Sequence, residues 1–131
     1  MNRSPLFLAV CAALMGGAGV ALAAGAVHLS GGELAERGAL LLILHAVAAL
    51  AVAAHARAGE SRMLLAAGFA MEAGATLFAA DLACHAFLGF RLFPFAAPIG
   101  GTVMIASWLA LAGAFVAALQ ANRGGDARGS L

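Results

Sequence analysis

The chain carries very little charge, and this shortage excludes a soluble domain. Only 10% of its 131 residues are charged, whereas 64% are hydrophobic. Soluble domains are usually about 45–50% apolar and about one quarter charged. Water could not keep such a chain dispersed, so we expect a lipid bilayer to be its solvent.

Lysine and tyrosine are absent, and the positive charge that remains is weak and scattered. All seven basic residues are arginines, and the formal net charge is +1. A nucleic-acid-binding surface needs clustered basic residues, so that class of function is excluded. The sequence also lacks a P-loop, a nucleophile elbow, a zinc-protease helix and a paired-cysteine motif. We therefore expect no enzymatic activity, no catalytic residue, and no metal or other cofactor.

Four apolar runs occupy most of the chain, and each is close to or above the roughly 20 residues that a membrane span requires. We predict an all-α membrane protein, a four-helix transmembrane bundle with short loops, in residues 1–121. The expected helices cover about residues 5–28, 31–56, 62–89 and 96–121. The polar, glycine-rich residues 122–131 are expected to form a disordered tail.

The first run has features of a secretory signal peptide, namely Arg3, an apolar stretch and "ALA" at residues 21–23. Its apolar part is longer than the about 7–15 residues of such signals, so we expect it to be retained as a helix. Cys11 and Cys84 then lie toward opposite leaflets, too far apart for a disulfide, and are expected to be small packing residues.

The arginines predict the orientation of the bundle. Four spans place both termini and the central loop on one side, with five arginines: Arg3, Arg57, Arg62, Arg123 and Arg128. The other side has Arg37 and Arg91. Positive residues favour the cytoplasmic side, so both termini and the tail are expected in the cytoplasm.

Small residues recur at a spacing of four on two helices. The rows are Ala9, Ala13, Gly17, Ala21 and Gly25 in the first helix, and Ala106, Ala110, Ala114 and Ala118 in the fourth. Residues at this spacing share a helix face, and small residues allow helix backbones to approach closely in lipid. We therefore expect both rows to pack against neighbouring helices.

Four ionisable residues are expected to approach one another in the outer leaflet. They are His28, His45, Asp81 and His85. Asp81 and His85 share a face of the third helix, and His45 reaches a similar depth from the second. We predict that Asp81 faces the bundle or a partner, accepting a hydrogen bond from His85, His45 or both. The cluster is open to three interpretations: neutral histidines satisfied by backbone carbonyls or hydroxyls, metal or haem ligands, or a proton or ion path.

Two further ionisable residues stand apart. Glu72 lies nine residues before Asp81, which turns it to the opposite face of the third helix, so it is an isolated intramembrane acid. Arg91 lies among Phe87, Phe90 and Phe93, where the chain is expected to cross the membrane interface. We expect Arg91 to be an interfacial anchor whose side chain extends toward lipid phosphate.

Several segments resemble a known family. "GAVHL", "LLILHAVAAL", "GATLFAADL" and "RLFPFAAPIGGTVMIASWLALAGAF" are similar to the YgdD-like family of small bacterial inner-membrane proteins, which is related to transmembrane protein 256 of animals and catalogued as domain of unknown function family 423. The resemblance covers nearly the whole chain and is strongest from Gly74 to Phe115. There "LFAADLA", "APIGG" and "SW" correspond to the family's "LFSGSLY", "TPIGG" and "GW".

The resemblance implies a four-helix fold in the bacterial inner membrane and carries no activity with it. His28 and His45 lie where the family tends to have histidine, whereas the family is usually uncharged at the positions of Asp81 and His85. We expect an accessory subunit that packs against a membrane-protein partner or forms a homo-oligomer. The alternatives are an oligomeric transporter or channel with a polar path through His45, Asp81 and His85, and a haem- or metal-binding membrane protein.

Overall fold

Four long helices form the chain. A computed structural model describes the backbone of residues 3–59 and 61–129, and the side chains of residues 3–59 and 61–122. The helices are α1 Ser4–His28, α2 Gly32–Gly59, α3 Arg62–Leu88 and α4 Ala96–Gly129, and the described residues contain no strand. All four are long and apolar enough to cross a membrane, α4 over Ala96–Asn122. The predicted four-helix, multi-pass membrane fold is confirmed.

Local chemistry explains where the helices begin and end. Pro5 lies in the first turn of α1 and Pro98 in that of α4, where a missing backbone N–H is tolerated. The Ser61 hydroxyl accepts a hydrogen bond from the backbone N–H of Leu64 at 3.3 Å and thereby caps α3. Gly89 ends α3 in the left-handed conformation, with φ 76°, which glycine adopts without strain.

The helix α4 continues past Asn122 into the segment that the sequence predicts to be a tail. Residues 130 and 131, and the side chains of residues 123–129, lie outside the described part of the chain. Disorder of the tail over residues 122–131 stays a prediction.

The helices α2 and α3 form the centre of the bundle. The helix α1 packs along α2 and also touches α3, whereas α4 packs along α3 and reaches α2 through side chains. In the most apolar stretch of each helix, 44% of residues in α2 and 50% in α3 are buried, against 22% in both α1 and α4. Consequently α1 and α4 each turn a wide apolar face away from the rest of the chain.

Two apolar clusters fill the interior, one toward each end. We call the end with both termini and the α2–α3 connection the terminal end, and the end with the other two connections the distal end. The cluster toward the terminal end includes Leu8, Val52, Leu64, Met71 and Leu111. The cluster toward the distal end is formed by Met15, Leu42, Ala46, Ala75, Ala79 and Met104. Side chains from all four helices therefore contribute to the core.

The closest approach of α3 and α4 is between two glycines. A Cβ atom on Gly100 would lie 2.6 Å from the carbonyl oxygen of Gly74 and 2.8 Å from the backbone nitrogen of Phe78. A Cβ atom on Gly74 would lie 2.8 Å from the carbonyl oxygen of Gly100. No other residue type fits at either position without a backbone shift. This contact is the close backbone approach that small residues permit in lipid.

The small-residue row on α1 is not part of this packing. Ala13, Gly17 and Ala21 are exposed, Ala9 and Gly25 are half-buried, and a Cβ atom on Gly17 would have no neighbour within 4 Å. The buried face of α1 instead contains Leu8, Ala12, Met15, Gly19 and Ala26. Each residue turns a helix by about 100°, so Gly17 lies opposite Met15 and Gly19. The prediction that this row packs inside the bundle is wrong, because a spacing of four defines a face without saying what covers it.

The row on α4 is only partly buried. Ala114 is buried and Ala110 is half-buried, whereas Ala106 and Ala118 are exposed. The contact face of α4 runs instead through Ala97, Gly100, Met104, Ser107 and Leu111. The prediction is therefore correct for the middle of this row and wrong for its two ends.

Candidate functional site at the distal end

Asp81 is the most deeply buried ionisable residue described, with 1% of its surface exposed. Its Oδ1 atom accepts a hydrogen bond from the backbone N–H of Leu92 at 2.9 Å, and its Oδ2 atom lies 3.6 Å from Nη1 of Arg91. The expected burial of Asp81 inside the bundle is confirmed. The expected partners, His85 and His45, are wrong, because the chain turns at Gly89 and brings residues 91 and 92 back over the carboxylate.

Arg91 is held by Asp81 and is not simply an anchor in the interface. Its side chain is 53% exposed, and Asp81 lies about 10 Å from the end of α3 at Leu88, at about 1.5 Å per residue. The role of Arg91 as an interfacial anchor stays a prediction, and the contact with Asp81 is an addition to it. The guanidinium has five N–H donors, and the contact with Asp81 leaves most of them available.

His45 is buried and both of its ring nitrogens have partners. Nδ1 lies 2.7 Å from the carbonyl oxygen of Leu41, and Nε2 lies 3.2 Å from the indole nitrogen of Trp108. A carbonyl only accepts and an indole N–H only donates, so Nδ1 carries the proton and Nε2 accepts. This arrangement fits a neutral ring with one tautomer. It supports the interpretation of His45 as a satisfied structural histidine.

His28, His45, Asp81 and His85 do not form one cluster. His85 is half-buried and lines the same cavity as Asp81, but His45 faces Trp108 and His28 is exposed at the end of α1. Among the side chains that the structure describes, no three His, Cys, Asp or Glu residues come close enough to hold a metal ion. The expected cluster of four is therefore wrong, and of these residues Asp81 and His85 line a common cavity without contacting each other through a hydrogen bond.

A cavity of about 580 Å³ opens at the distal end, beside Asp81. The start of α2, the end of α3, Arg91 and the first turns of α4 enclose it. Its polar lining comes from Arg37, Asp81, His85, Arg91 and Thr102. Arg37 also contacts Glu33 at 3.2 Å, an exposed ion pair one helical turn apart. Several ionisable residues therefore line the same open space in this cavity.

Glu72 is confirmed as an isolated acid in the middle of α3. It is 7% exposed, and its Oε1 atom is buried without a hydrogen-bond partner. Its neighbours on the same stripe are Gly68, which faces Leu8, and Thr76, whose hydroxyl donates to the sulfur of Met15 at 3.5 Å. Glu72 therefore lies in the groove between α1 and α3, away from the distal cavity. Burial of an unpaired carboxyl group is unfavourable, so its presence calls for an explanation outside the packing of this chain.

Three features of the site were not expected from the sequence. Trp108 completes the hydrogen bonds of His45, the backbone of Leu92 binds Asp81, and Gly74 and Gly100 set the spacing of α3 and α4. Trp108 is the only tryptophan in the sequence. Because an indole N–H inside an apolar run needs an acceptor, the sequence could have predicted a hydrogen bond from Trp108 to a polar group on another helix. Cys11 and Cys84 are both free and half-buried.

One of three comparisons with known proteins found a match. No curated protein and no solved structure matches the chain. A family model described as "Protein of unknown function (DUF423)" matches residues 23–101, from the last turns of α1 to the first turns of α4. The matched segment includes the Asp81–Arg91 pair, the Gly74–Gly100 contact and most of the distal cavity, and it covers more than half of the sequence. The chain belongs to this family.

Proposed function

We propose that this chain is a non-enzymatic subunit of a bacterial inner-membrane assembly, with both termini in the cytoplasm, and that it binds a helix of another membrane protein. The surface that makes the contact is the outer face of α1, defined by Ala13, Gly17, Ala21 and Ala24. All four residues are exposed in the single chain. The inner-membrane location rests on the family resemblance and on the arginine distribution.

The observation that carries this proposal is the open space around Gly17. No atom lies within 4 Å of a Cβ atom placed there, and the residue lies opposite the buried face of α1. Lipid tails offer no advantage for glycine, which costs helix stability compared with alanine. A glycine and three alanines on one face instead suit close contact with another transmembrane helix.

The chain itself contains a close contact between helices at small residues elsewhere. Gly74 and Gly100 bring the backbones of α3 and α4 together, and both are buried in that contact. The outer face of α1 offers the same small side chains without a partner in the single chain. The buried share of α1, 22%, leaves room for a further helix along its length.

The two alternative functions have less support. A transport path through His45, Asp81 and His85 would need these residues to face a common space, but His45 is turned toward Trp108. For haem or metal binding, no group of three potential ligands is found among the described side chains. The test below includes bound cofactor among its readouts.

The test is extraction of the full chain from its native membrane in a mild detergent, with size and composition determined by native mass spectrometry. We expect a complex with a second membrane protein, and we expect Gly17→Leu to dissociate it. Gly113→Leu is the matched control, because Gly113 is also exposed and its nearest neighbour is the flexible end of Met63 at 3.6 Å.

The thermal stability of the isolated chain separates loss of binding from loss of folding. We expect Gly17→Leu to change it by no more than about 0.5 kcal/mol, as is usual for exposed positions. A wild-type chain that is extracted alone, only with copies of itself, or with bound haem or metal would contradict the proposal. So would a complex that Gly17→Leu leaves intact.

A further inference from the structure

The distal cavity changes from polar to apolar along the direction of the helices. Near the membrane surface its lining includes His85, about 5 Å from the end of α3, and Arg91 in the connection that follows. Deeper, the lining includes Phe78 and Ile105, about 13–15 Å from the ends of their helices. Ile105 is 64% exposed, so the cavity opens sideways toward lipid.

The polar end of the cavity favours an anion. Arg37 and Arg91 contribute two positive charges, and the single acid in the lining, Asp81, is already bound by Arg91 and by the backbone of Leu92. Glu33 offsets Arg37, but both side chains are largely exposed, and such pairs interact weakly. The helices α2 and α4 begin beside the cavity and α3 ends there, so two N-terminal ends with partial positive charge outnumber one C-terminal end with partial negative charge.

The cavity fits a ligand that has both a polar head group and an apolar tail. His85 makes no hydrogen bond within the described residues, so its ring is free to bind a polar group in the cavity. Phe78, Leu82 and Ile105 offer only apolar contacts farther in. A small soluble anion would leave this apolar part of the cavity empty, and a hydrocarbon would leave the N–H donors of the arginines without an acceptor.

We propose that the distal cavity binds one anionic phospholipid, with its phosphate between Arg37 and Arg91 and the start of an acyl chain along Phe78 and Ile105. A volume of about 580 Å³ suits a head group and part of a chain rather than a whole lipid. The site lies on α2, α3 and α4, and it does not involve the outer face of α1. Its occupancy is therefore independent of the assembly proposed above.

The test is thermal unfolding of the purified chain in a neutral detergent, with phosphatidylglycerol, phosphatidylcholine or inorganic phosphate added. A ligand that binds only the folded state raises the unfolding temperature, so we expect phosphatidylglycerol to raise it by about 4 °C. We expect no rise with phosphatidylcholine or inorganic phosphate. An equal rise with phosphatidylcholine would show non-specific solvation, and an equal rise with phosphate would show a site for a free anion. Either result would overturn the proposal.

Three variants locate the binding. Arg37→Gln removes one cation, and the only contact that it loses in the fold is the exposed pair with Glu33. Arg57→Gln is the matched control, an exposed arginine at the terminal end of the same helix. Gly101→Leu fills the cavity, because a Cβ atom there meets nothing closer than Phe78 at 3.9 Å.

We expect Arg37→Gln and Gly101→Leu to lose the response to phosphatidylglycerol and Arg57→Gln to keep it. Retention of the full response in Gly101→Leu, or its equal loss in Arg57→Gln, would show that the lipid binds elsewhere. Native mass spectrometry provides a second measurement that does not depend on unfolding. It should detect one phosphatidylglycerol bound to the wild-type chain and to Arg57→Gln, and none bound to Arg37→Gln or Gly101→Leu.

Discussion

Trp108 and His45 connect α4 to α2 through one hydrogen bond, which runs from the indole N–H to Nε2 over 3.2 Å. The two rings meet edge to face, with centroids 6.1 Å apart. The contact is notable because α4 otherwise packs its backbone along α3. This hydrogen bond between a buried histidine and a half-exposed tryptophan therefore restrains the rotation of α4 about its own axis.

We expect Trp108→Phe to lower the free energy of unfolding by about 1–2 kcal/mol, because the acceptor Nε2 of His45 loses its donor in a buried site. Equilibrium unfolding in mixed detergent measures this change. A double-mutant cycle with His45→Phe isolates the pair, and we expect a coupling energy of about 0.5–1.5 kcal/mol. A coupling energy of zero would show that the hydrogen bond contributes nothing.

The two neighbouring glycines at the start of α4 should respond differently to substitution. Gly100→Ala places a Cβ atom 2.6 Å from the carbonyl oxygen of Gly74, so we expect a loss of at least about 2 kcal/mol as α3 and α4 move apart. Gly101→Ala is the control, because its Cβ atom has no neighbour closer than 3.9 Å. It should be neutral or slightly stabilising, since alanine favours helix. Equal unfolding temperatures of the two variants would argue against the close approach of α3 and α4 at Gly100.

Replacement of Glu72 by leucine should stabilise the isolated chain. The Oε1 atom has no partner, so removing the carboxyl group removes a desolvation cost of about 1–3 kcal/mol while apolar contacts are kept. Glu72→Gln is the control, since it keeps an uncompensated polar group at the same place, and it should gain less. Thermal unfolding in detergent measures both variants. A destabilised leucine variant would contradict the conclusion that the buried carboxyl group is unfavourable in this chain.

The Asp81 carboxylate should tolerate an amide better than an alkyl group. Asp81→Asn keeps an acceptor for the N–H of Leu92, so we expect a loss of about 1 kcal/mol from the weakened contact with Arg91. Asp81→Leu leaves that N–H and the guanidinium unpaired, so we expect the free energy of unfolding to fall by about 2–3 kcal/mol. Unfolding temperatures in detergent check the order. Equal losses in the two variants would show that the hydrogen bond to Leu92 is not important.

Orientation in the membrane can be tested with single cysteines in a chain that lacks Cys11 and Cys84. Gly59 lies at the terminal end of the bundle and Ser30 at the distal end. The five-to-two distribution of arginines predicts that a membrane-impermeant thiol reagent labels Ser30→Cys in intact spheroplasts and Gly59→Cys only after lysis. The reverse pattern would show the opposite orientation.

The sequence predicts the number and class of the helices well, because apolar runs of this length have few alternatives in lipid. It also predicts that Asp81 is buried, since a carboxylate at that depth cannot face acyl chains without great cost. It does not predict which groups bind Asp81, because Leu92 reaches it from beyond the end of α3. Side-chain periodicity describes one helix and contains no information on a connection that folds back.

The small-residue row on α1 and the two ends of the row on α4 fail as predictions for a related reason. Alanine is abundant throughout this chain, so a row at spacing four appears on the exposed side of α1 as well as on contact faces. The true close contact, between Gly74 and Gly100, joins one glycine from each of two helices, and the spacing within either helix does not show that these two residues meet. The fit between the surfaces of two helices determines how they pack, and the residue pattern within one helix does not reveal that fit.

The order of packing has a consequence for how the chain is made. The helix α1 packs along α2, α2 along α3, and α3 along α4, so each extensive contact joins neighbours in the sequence. A ribosome releases the helices in that same order, and each new helix finds the preceding one already in place. Each pair of helices with an extensive contact is therefore complete as soon as its second helix is made, and the hydrogen bond from Trp108 to His45 is added last, with α4.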